Sequence, residues 1–262
     1  MTLVGWNIVI QAMPTFVLTF FRIAGITLLA PLLGSEVIDP RIKIGFSLLM
    51  AIIVWPIVPP VTNLPESLPA LALAIGSEML IGLLIGLGAT LTFVALELAG
   101  LIVGQQLGLS LAGVFNPFFE SQSSELGQFY FLFSLVVFLL IDGHHMMIGA
   151  LIDSFSSIPL AGLVFDERWL NLLASLLEAS FKFVIQVTAP ALASMFLVSV
   201  GMGFIGRTMP QLNILAAGFP LRLLVGMTVL VTAFAALTAA FQTSVTQALY
   251  EIAEALKMGG GV

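Results

Sequence analysis

Catalysis needs nucleophiles, acids, bases or metal ligands in convergent positions, and this chain carries few of them. Its two histidines are adjacent, in Ile141-Asp142-Gly143-His144-His145. Metal ligands sharing one helical face fall at i and i+4; this pair lacks that spacing, so no metal ligand is assigned. Two readings of the segment stay open. Asp142 is a helix N-cap where one apolar run ends and the next helix begins, or Asp142 and His144 form a proton relay. There is no cysteine, hence no thiolate nucleophile, and neither a Walker loop nor a G-x-S-x-G elbow occurs. Nothing in these residues argues for an enzyme or for a cofactor.

Other polar residues stand out by where they lie. Arg22 sits between Phe16–Phe21 and Ile23–Leu29. A charge at mid-bilayer costs about 2.5–3.5 kcal/mol on insertion scales. Arg22 must therefore pair with a carboxylate or backbone carbonyls, or face a partner, and assembly is favoured over ion transport. Glu78 and Glu97 flank the apolar segment Met79–Leu96 and read as interfacial. Gly82 and Gly86 form a G-x-x-x-G spacing that lets helix backbones approach closely, and Gly201, Gly203 and Gly206 suggest the same further on. The most unusual segment is Gly104-Gln105-Gln106-Leu107-Gly108-Leu109-Ser110, running into Gly113-Val114-Phe115-Asn116-Pro117-Phe118-Phe119. It cannot be a regular lipid-exposed helix throughout, because irregular backbone at membrane depth persists only inside protein or beside water. It is either a surface loop with apolar anchors or an apolar constriction that closes a pore.

The elements that must hold these residues are helices. Of 262 residues, 60% are apolar and 8% charged, against about 45–50% and 25% in a soluble domain. The composition describes a protein solvated by lipid, by other apolar chains, or by both. A net charge of −6 with only eight Lys and Arg excludes a nucleic-acid binder. No basic residue precedes Arg22, so the N-terminus lacks the n-region of a signal peptide. Apolar stretches cover roughly 8–33, 44–58, 70–96, 126–141, 183–206 and 223–250. None alternates with period two, which argues against a membrane barrel. The fold class is all-α.

As six alternating spans, these stretches place Arg41, Lys43, Arg207 and Arg222 on one side and Arg168, Lys182 and Lys257 on the other. That shows no positive-inside bias. Positive charges are simply scarce, or some segments do not span in the ordinary way. Length supports the second reading. From Glu167 to Ile205 no strong stop intervenes, which predicts a helix of about 58 Å, kinked but not ended by Pro190. A turn with Pro210, Gly218 and Pro220 leads to a second helix from about Leu221 to Leu256, ended by Gly259, Gly260 and Gly261. Such a hairpin exceeds a bilayer core of about 30 Å. Leu237, Phe241, Val245, Leu249, Ile252 and Leu256 form one apolar face, with Thr243, Gln247, Glu251 and Glu254 on another. In the facing arm Asn171, Ser175, Glu178 and Lys182 recur at helical steps, with Glu178 and Lys182 in the favourable order for an exposed pair. These polar faces are either solvated helix ends or one wall of an aqueous passage.

The ordered set of motifs resembles the FliR family of export-gate proteins, which is related to the SctT subunits of injectisomes. The resemblance rests on Ala30-Pro31-Leu32-Leu33-Gly34 with Pro40 and Arg41, on Gly104–Ser110, and on Phe115-Asn116-Pro117. It continues through Ile141–His145 with Ser154 and Pro159, and through Gly206-Arg207-Thr208-Met209-Pro210-Gln211-Leu212-Asn213 with Gly218-Phe219-Pro220. It implies a non-enzymatic pore subunit of the flagellar type III export gate, passing unfolded substrates across the bacterial inner membrane at the flagellar basal body. One such subunit is expected to join five FliP and four FliQ subunits, with FlhB and FlhA as further partners. Residues 1–167 would be FliP-like and include a plug loop at 105–124, and 168–262 would be a FliQ-like hairpin. Gln105, Gln106, Gly108, Val114, Phe115, Asn116, Pro117, Phe118 and Phe119 become plug candidates. Arg22, Gly82, Gly86, Asp142, His144, Arg207, Pro210, Gln211 and Asn213 become assembly or structural candidates. The injectisome gate is the near alternative, although Ser124–Tyr130 looks more flagellar. A stand-alone secondary transporter is the alternative from another class; inverted halves and a polar mid-membrane site are not found in the sequence.

Overall fold

The computed structural model describes residues 2–34, 38–61, 67–109, 124–163, 166–209, 211 and 214–259. The described residues are helical, with no strand, and form α1 (Thr2–Leu29), α2 (Pro40–Val54), α3 (Leu68–Leu107), α4 (Glu125–Leu140), α5 (Gly143–Ser157), α6 (Glu167–Thr208) and α7 (Ile214–Gly259). One 3-10 turn, Trp55–Ile57, extends α2. The start of α2 follows from chemistry legible in the sequence. Asp39 accepts a hydrogen bond from the Arg41 N–H, and Pro40 takes the first helical position, where its missing N–H costs nothing.

Three helices are far longer than a bilayer requires. α3, α6 and α7 contain 40, 42 and 46 residues, or about 60–70 Å at 1.5 Å per residue. Both hairpin arms exceed the predicted lengths: α6 runs on to Thr208, and Gly218 and Pro220, expected in the turn, lie inside α7. α3 also outruns its apolar stretch: it continues through Gln105 and Gln106 to Leu107. Among the described residues, four helices are long and apolar enough to cross a membrane, or five if α4 and α5 form one bent span.

The chain forms two compact units, each discontinuous in sequence. The first comprises Met1–Leu91, Asp142–Leu177 and Val245–Val262; the second comprises Thr92–Ile141 and Glu178–Ser244. In the first, α1 packs on α2 through a hydroxyl contact between Thr27 and Ser47 at 2.7 Å and an edge-on Phe16–Trp55 pair. The second is centred on Phe93 of α3, which meets Phe138 of α4 and Phe241 of α7 edge-on at 5.4 and 5.3 Å between ring centroids. All three rings are buried, and such pairs contribute about 0.5–1.5 kcal/mol beyond their area. The predicted apolar face of α7 is a buried one: Leu237, Phe241, Val245, Leu249, Ile252 and Leu256 are each at most 7% exposed.

Candidate functional site

The densest polar arrangement surrounds Arg22, in the first unit. Its Nε donates to Glu78 Oε2 at 2.5 Å, and both side chains are fully buried. Nη1 donates to the carbonyl and hydroxyl oxygens of Ser154 at 2.9 and 3.2 Å, and Nη2 to the Ile158 carbonyl at 3.1 Å. The guanidinium also lies 4.5 Å from the centre of the Phe155 ring. The second Glu78 oxygen accepts the Ala161 N–H at 2.8 Å. One ion pair thereby joins α1, α3, the end of α5 and the turn that follows it. Arg22 finds both partner types that the sequence demands, a carboxylate and backbone carbonyls, inside its own chain.

Glu78 corrects the reading of that residue as interfacial. It is as buried as Arg22, because an internal guanidinium needs a compensating charge. Glu97, by contrast, is exposed. The signal that could have found Glu78 was neutrality: a buried Arg requires one of the few carboxylates near apolar segments. In the sequence Ser154 and Pro159 stand out only as parts of a motif. They belong to this receptor, since Ser154 binds Arg22 directly and the Pro159 carbonyl accepts the Gly162 N–H to close the turn.

Gly82 and Gly86 line the seam between α1 and α3. A Cβ at Gly82 would collide with the Arg22 carbonyl, and one at Gly25 with the Met79 carbonyl; one at Gly86 would lie 3.0 Å from Leu29 Cβ. The G-x-x-x-G spacing therefore serves a contact within the chain. Gly201 and Gly203 differ: a Cβ there meets nothing within 4 Å, so the close packing expected for them is not found among the described residues.

The plug candidates fall into two groups. Gln105 and Gln106 are exposed residues of the last turn of α3, and Gly108 is buried with φ 83°. The left-handed glycine ends the helix, and the Leu109 N–H returns to the Gly104 carbonyl at 3.1 Å, a C-terminal motif that needs glycine. Val114, Phe115, Asn116, Pro117, Phe118 and Phe119 lie outside the described residues. The chain resumes at Ser124, whose hydroxyl caps α4 by accepting the Gly127 N–H. A Cβ on Gly100 would stand 2.7 Å from the Leu126 carbonyl and one on Gly104 3.0 Å from Ser124 Oγ. The end of α3 and the start of α4 are therefore adjacent.

Between α4 and α5, Asp142 has φ 57° and ψ 30°, a left-handed conformation uncommon outside glycine. It stands at the N-cap position, but its side chain makes no cap hydrogen bond, which corrects the side-chain-cap reading. Its carbonyl accepts from the His145 and Met146 N–H groups, and its carboxylate meets His145 Nδ1 at 3.2 Å. His144 is partly buried, and its Nδ1 is shut from solvent without a partner.

At the hairpin tip, Arg207 is exposed in the last turn of α6, where its charge suits the carbonyl end of the helix. Gln211 is exposed, whereas Pro210 and Asn213 lie outside the described residues. Asn171, Ser175, Glu178 and Lys182 are all exposed. Among the described residues the ion pairs are Arg22–Glu78, His145–Asp142 and Arg168–Asp166, so Glu178 and Lys182 do not pair.

Comparison with known proteins gives one consistent result. Residues 13–248 match the family described as bacterial export proteins, family 1. The chain is 33% identical to the flagellar biosynthetic protein FliR of Bacillus subtilis over 233 residues, covering 86% of this chain and 88% of that protein. It is 31% identical to FliR of Caulobacter vibrioides, covering 81% and 85%. The Yop proteins translocation protein T of Yersinia pestis is 28% identical, covering 79% and 81%.

Proposed function

Because the chain belongs to the bacterial export proteins of family 1, we propose that it is a structural pore subunit of the flagellar type III protein export gate. The observation that carries this reading is the extent of its likeness to FliR proteins, which covers more than four-fifths of both chains in the first two relatives described. The chain works within a multi-protein export apparatus. It acts as a scaffold and not as an enzyme, passing unfolded flagellar substrates while the energy comes from other components. Its partners are five FliP and four FliQ subunits per copy, with FlhB and FlhA, and its place is the inner membrane at the flagellar basal body. Residues 1–167 serve as the FliP-like part and 168–262 as the FliQ-like hairpin.

Exposed apolar side chains on α6 and α7, among them Phe196, Leu197, Phe204, Leu224 and Val231, support burial against lipid and neighbouring subunits. The plug reading is supported by the adjacency of the helix ends that flank the segment, with Phe115 and Phe118 as its closing residues. Two measurements test these assignments. Native mass of the detergent-extracted complex should equal one copy with five and four of two other helical proteins; a symmetric oligomer of this chain alone would overturn the gate reading. Replacing Phe115 and Phe118 by Ala should make assembled gates leak small solutes, and unchanged permeability with normal assembly would sink the plug assignment. The likeness to the Yersinia translocation protein favours an injectisome gate as the second reading. Restoration of motility in a flagellated cell lacking its own FliR separates the two.

A further inference from the structure

We infer that Asp142, His144 and His145 form a binding site for a divalent transition-metal ion of the zinc class. Spacing along the sequence by itself speaks against this, because side chains at i, i+2 and i+3 do not all share a regular helical face. The backbone changes the result. Asp142 stands in the left-handed conformation just before α5, which turns its carboxylate back over the first helical turn. One carboxylate oxygen and one nitrogen from each imidazole then lie within 4.8 Å of one another.

The closest of these approaches already has a ligand geometry. Asp142 Oδ1 and His145 Nδ1 are 3.2 Å apart, and two ligands bound about 2.0–2.1 Å from a tetrahedral ion stand about 3.3 Å apart. Asp142 and His145 are exposed, so an ion reaches them from water and their side chains are free to close the remaining distance. The second, independent observation is His144 Nδ1. Among the described residues it is the buried side-chain nitrogen that has no hydrogen-bond partner. Leaving such an atom unsatisfied costs about 1–3 kcal/mol, a cost that a cation relieves when it binds through this nitrogen.

The donor set selects the ion class. Two imidazoles and one carboxylate suit zinc, nickel, cobalt or copper(II), whereas magnesium and calcium require mostly oxygen ligands. With no cysteine in the chain, a thiolate-held copper(I) or iron–sulfur centre is excluded. Three protein ligands leave a fourth position for water or a group from another chain.

The test uses the full chain in its detergent-extracted complex, purified without a histidine tag. Zinc retained after exchange against a weak chelator is measured, and cobalt is titrated while its visible absorption is followed. Wild type should hold one equivalent more than Asp142→Asn, His144→Asn or His145→Asn, with affinity reduced at least tenfold in each variant. Asp142→Gly guards against a folding artefact. Glycine suits the left-handed backbone, so this variant should assemble normally and still lose the metal. Retention equal in wild type and all variants means an adventitious ion only and overturns the inference, as does an Asp142→Gly complex that binds zinc like wild type. The readout is metal content, so its failure leaves the export-gate reading untouched.

Discussion

Replacing Glu78 by Ala should remove most of the stability of the first compact unit. Arg22 and Glu78 are fully buried and 2.5 Å apart, and removing one member of such a pair costs about 3–5 kcal/mol. The Ala161 N–H loses its acceptor as well, adding about 1–3 kcal/mol. Against a total stability of about 5–15 kcal/mol for a domain, that loss should deplete the chain from membranes by several-fold. The informative comparison is the double variant Arg22→Met/Glu78→Leu. It removes both charges, and apolar replacement of a buried pair is often neutral or favourable by about 1–4 kcal/mol. Two groups lose the partner that these contacts give them, the Ala161 N–H and the Ile158 carbonyl, while the Ser154 hydroxyl keeps its bond to the Leu151 carbonyl. The Ser154 carbonyl keeps the Ile158 N–H at 2.9 Å. These terms nearly cancel, so the double variant should recover at least about 2 kcal/mol over either single one. The assay is a double-mutant cycle on the thermal midpoint in detergent, with Arg22→Met and Glu78→Leu as its single variants, paired with the amount of chain in the membrane fraction. The reasoning fails if Glu78→Ala is as heat-stable and abundant as wild type, or if the double variant is no better than the singles.

Three other perturbations follow from local geometry. Gly82→Ala should lower stability by about 1–3 kcal/mol, because its Cβ meets the α1 backbone, while Gly76→Ala, which meets nothing within 4 Å, should gain up to about 1 kcal/mol of helix propensity; thermal midpoints moving the same way would refute the seam. Ala161→Gly should raise the midpoint, by about 0.5–1 kcal/mol, since φ is 61° there and a side chain pays about 1–2 kcal/mol for that conformation. At the start of α6, hydrogen bonds from the Arg168 guanidinium and the Glu167 N–H hold the Asp166 carboxyl below the usual aspartate range. Its contribution is then present above the ordinary aspartate pKa and lost only as pH falls through the depressed one. A carbon-13 titration of Asp166 should show that lower midpoint, moving upward with added salt; an ordinary midpoint at low salt would count against the contact.

Much of the architecture is legible without coordinates. The helical period of Leu237 through Leu256 names a buried face correctly, because every step of three or four residues returns the side chain to one side of the helix. The absence of stop signals between 167 and 205 likewise announces a helix longer than a membrane is thick. Arg22 announces a need for partners through desolvation alone. These properties depend on neighbours within one or two helical turns, so sequence order already contains them.

What the sequence left open depends on residues far apart along the chain. The partner of Arg22 is 56 residues away and its carbonyl acceptors 132 and 136 away. No periodicity encodes such separations, and only the packing of α1, α3 and α5 chooses Glu78 over Glu97. The G-x-x-x-G seam shows the same division, since the spacing predicts close packing and the fold selects α1 as the partner. At Asp142 the decision is conformational: a single left-handed residue carries its carboxylate round to His145, which helical spacing by itself forbids. Composition, length and period determine which helices form. Charge neutralisation and backbone contact between distant segments, available only in the folded chain, decide which residues meet.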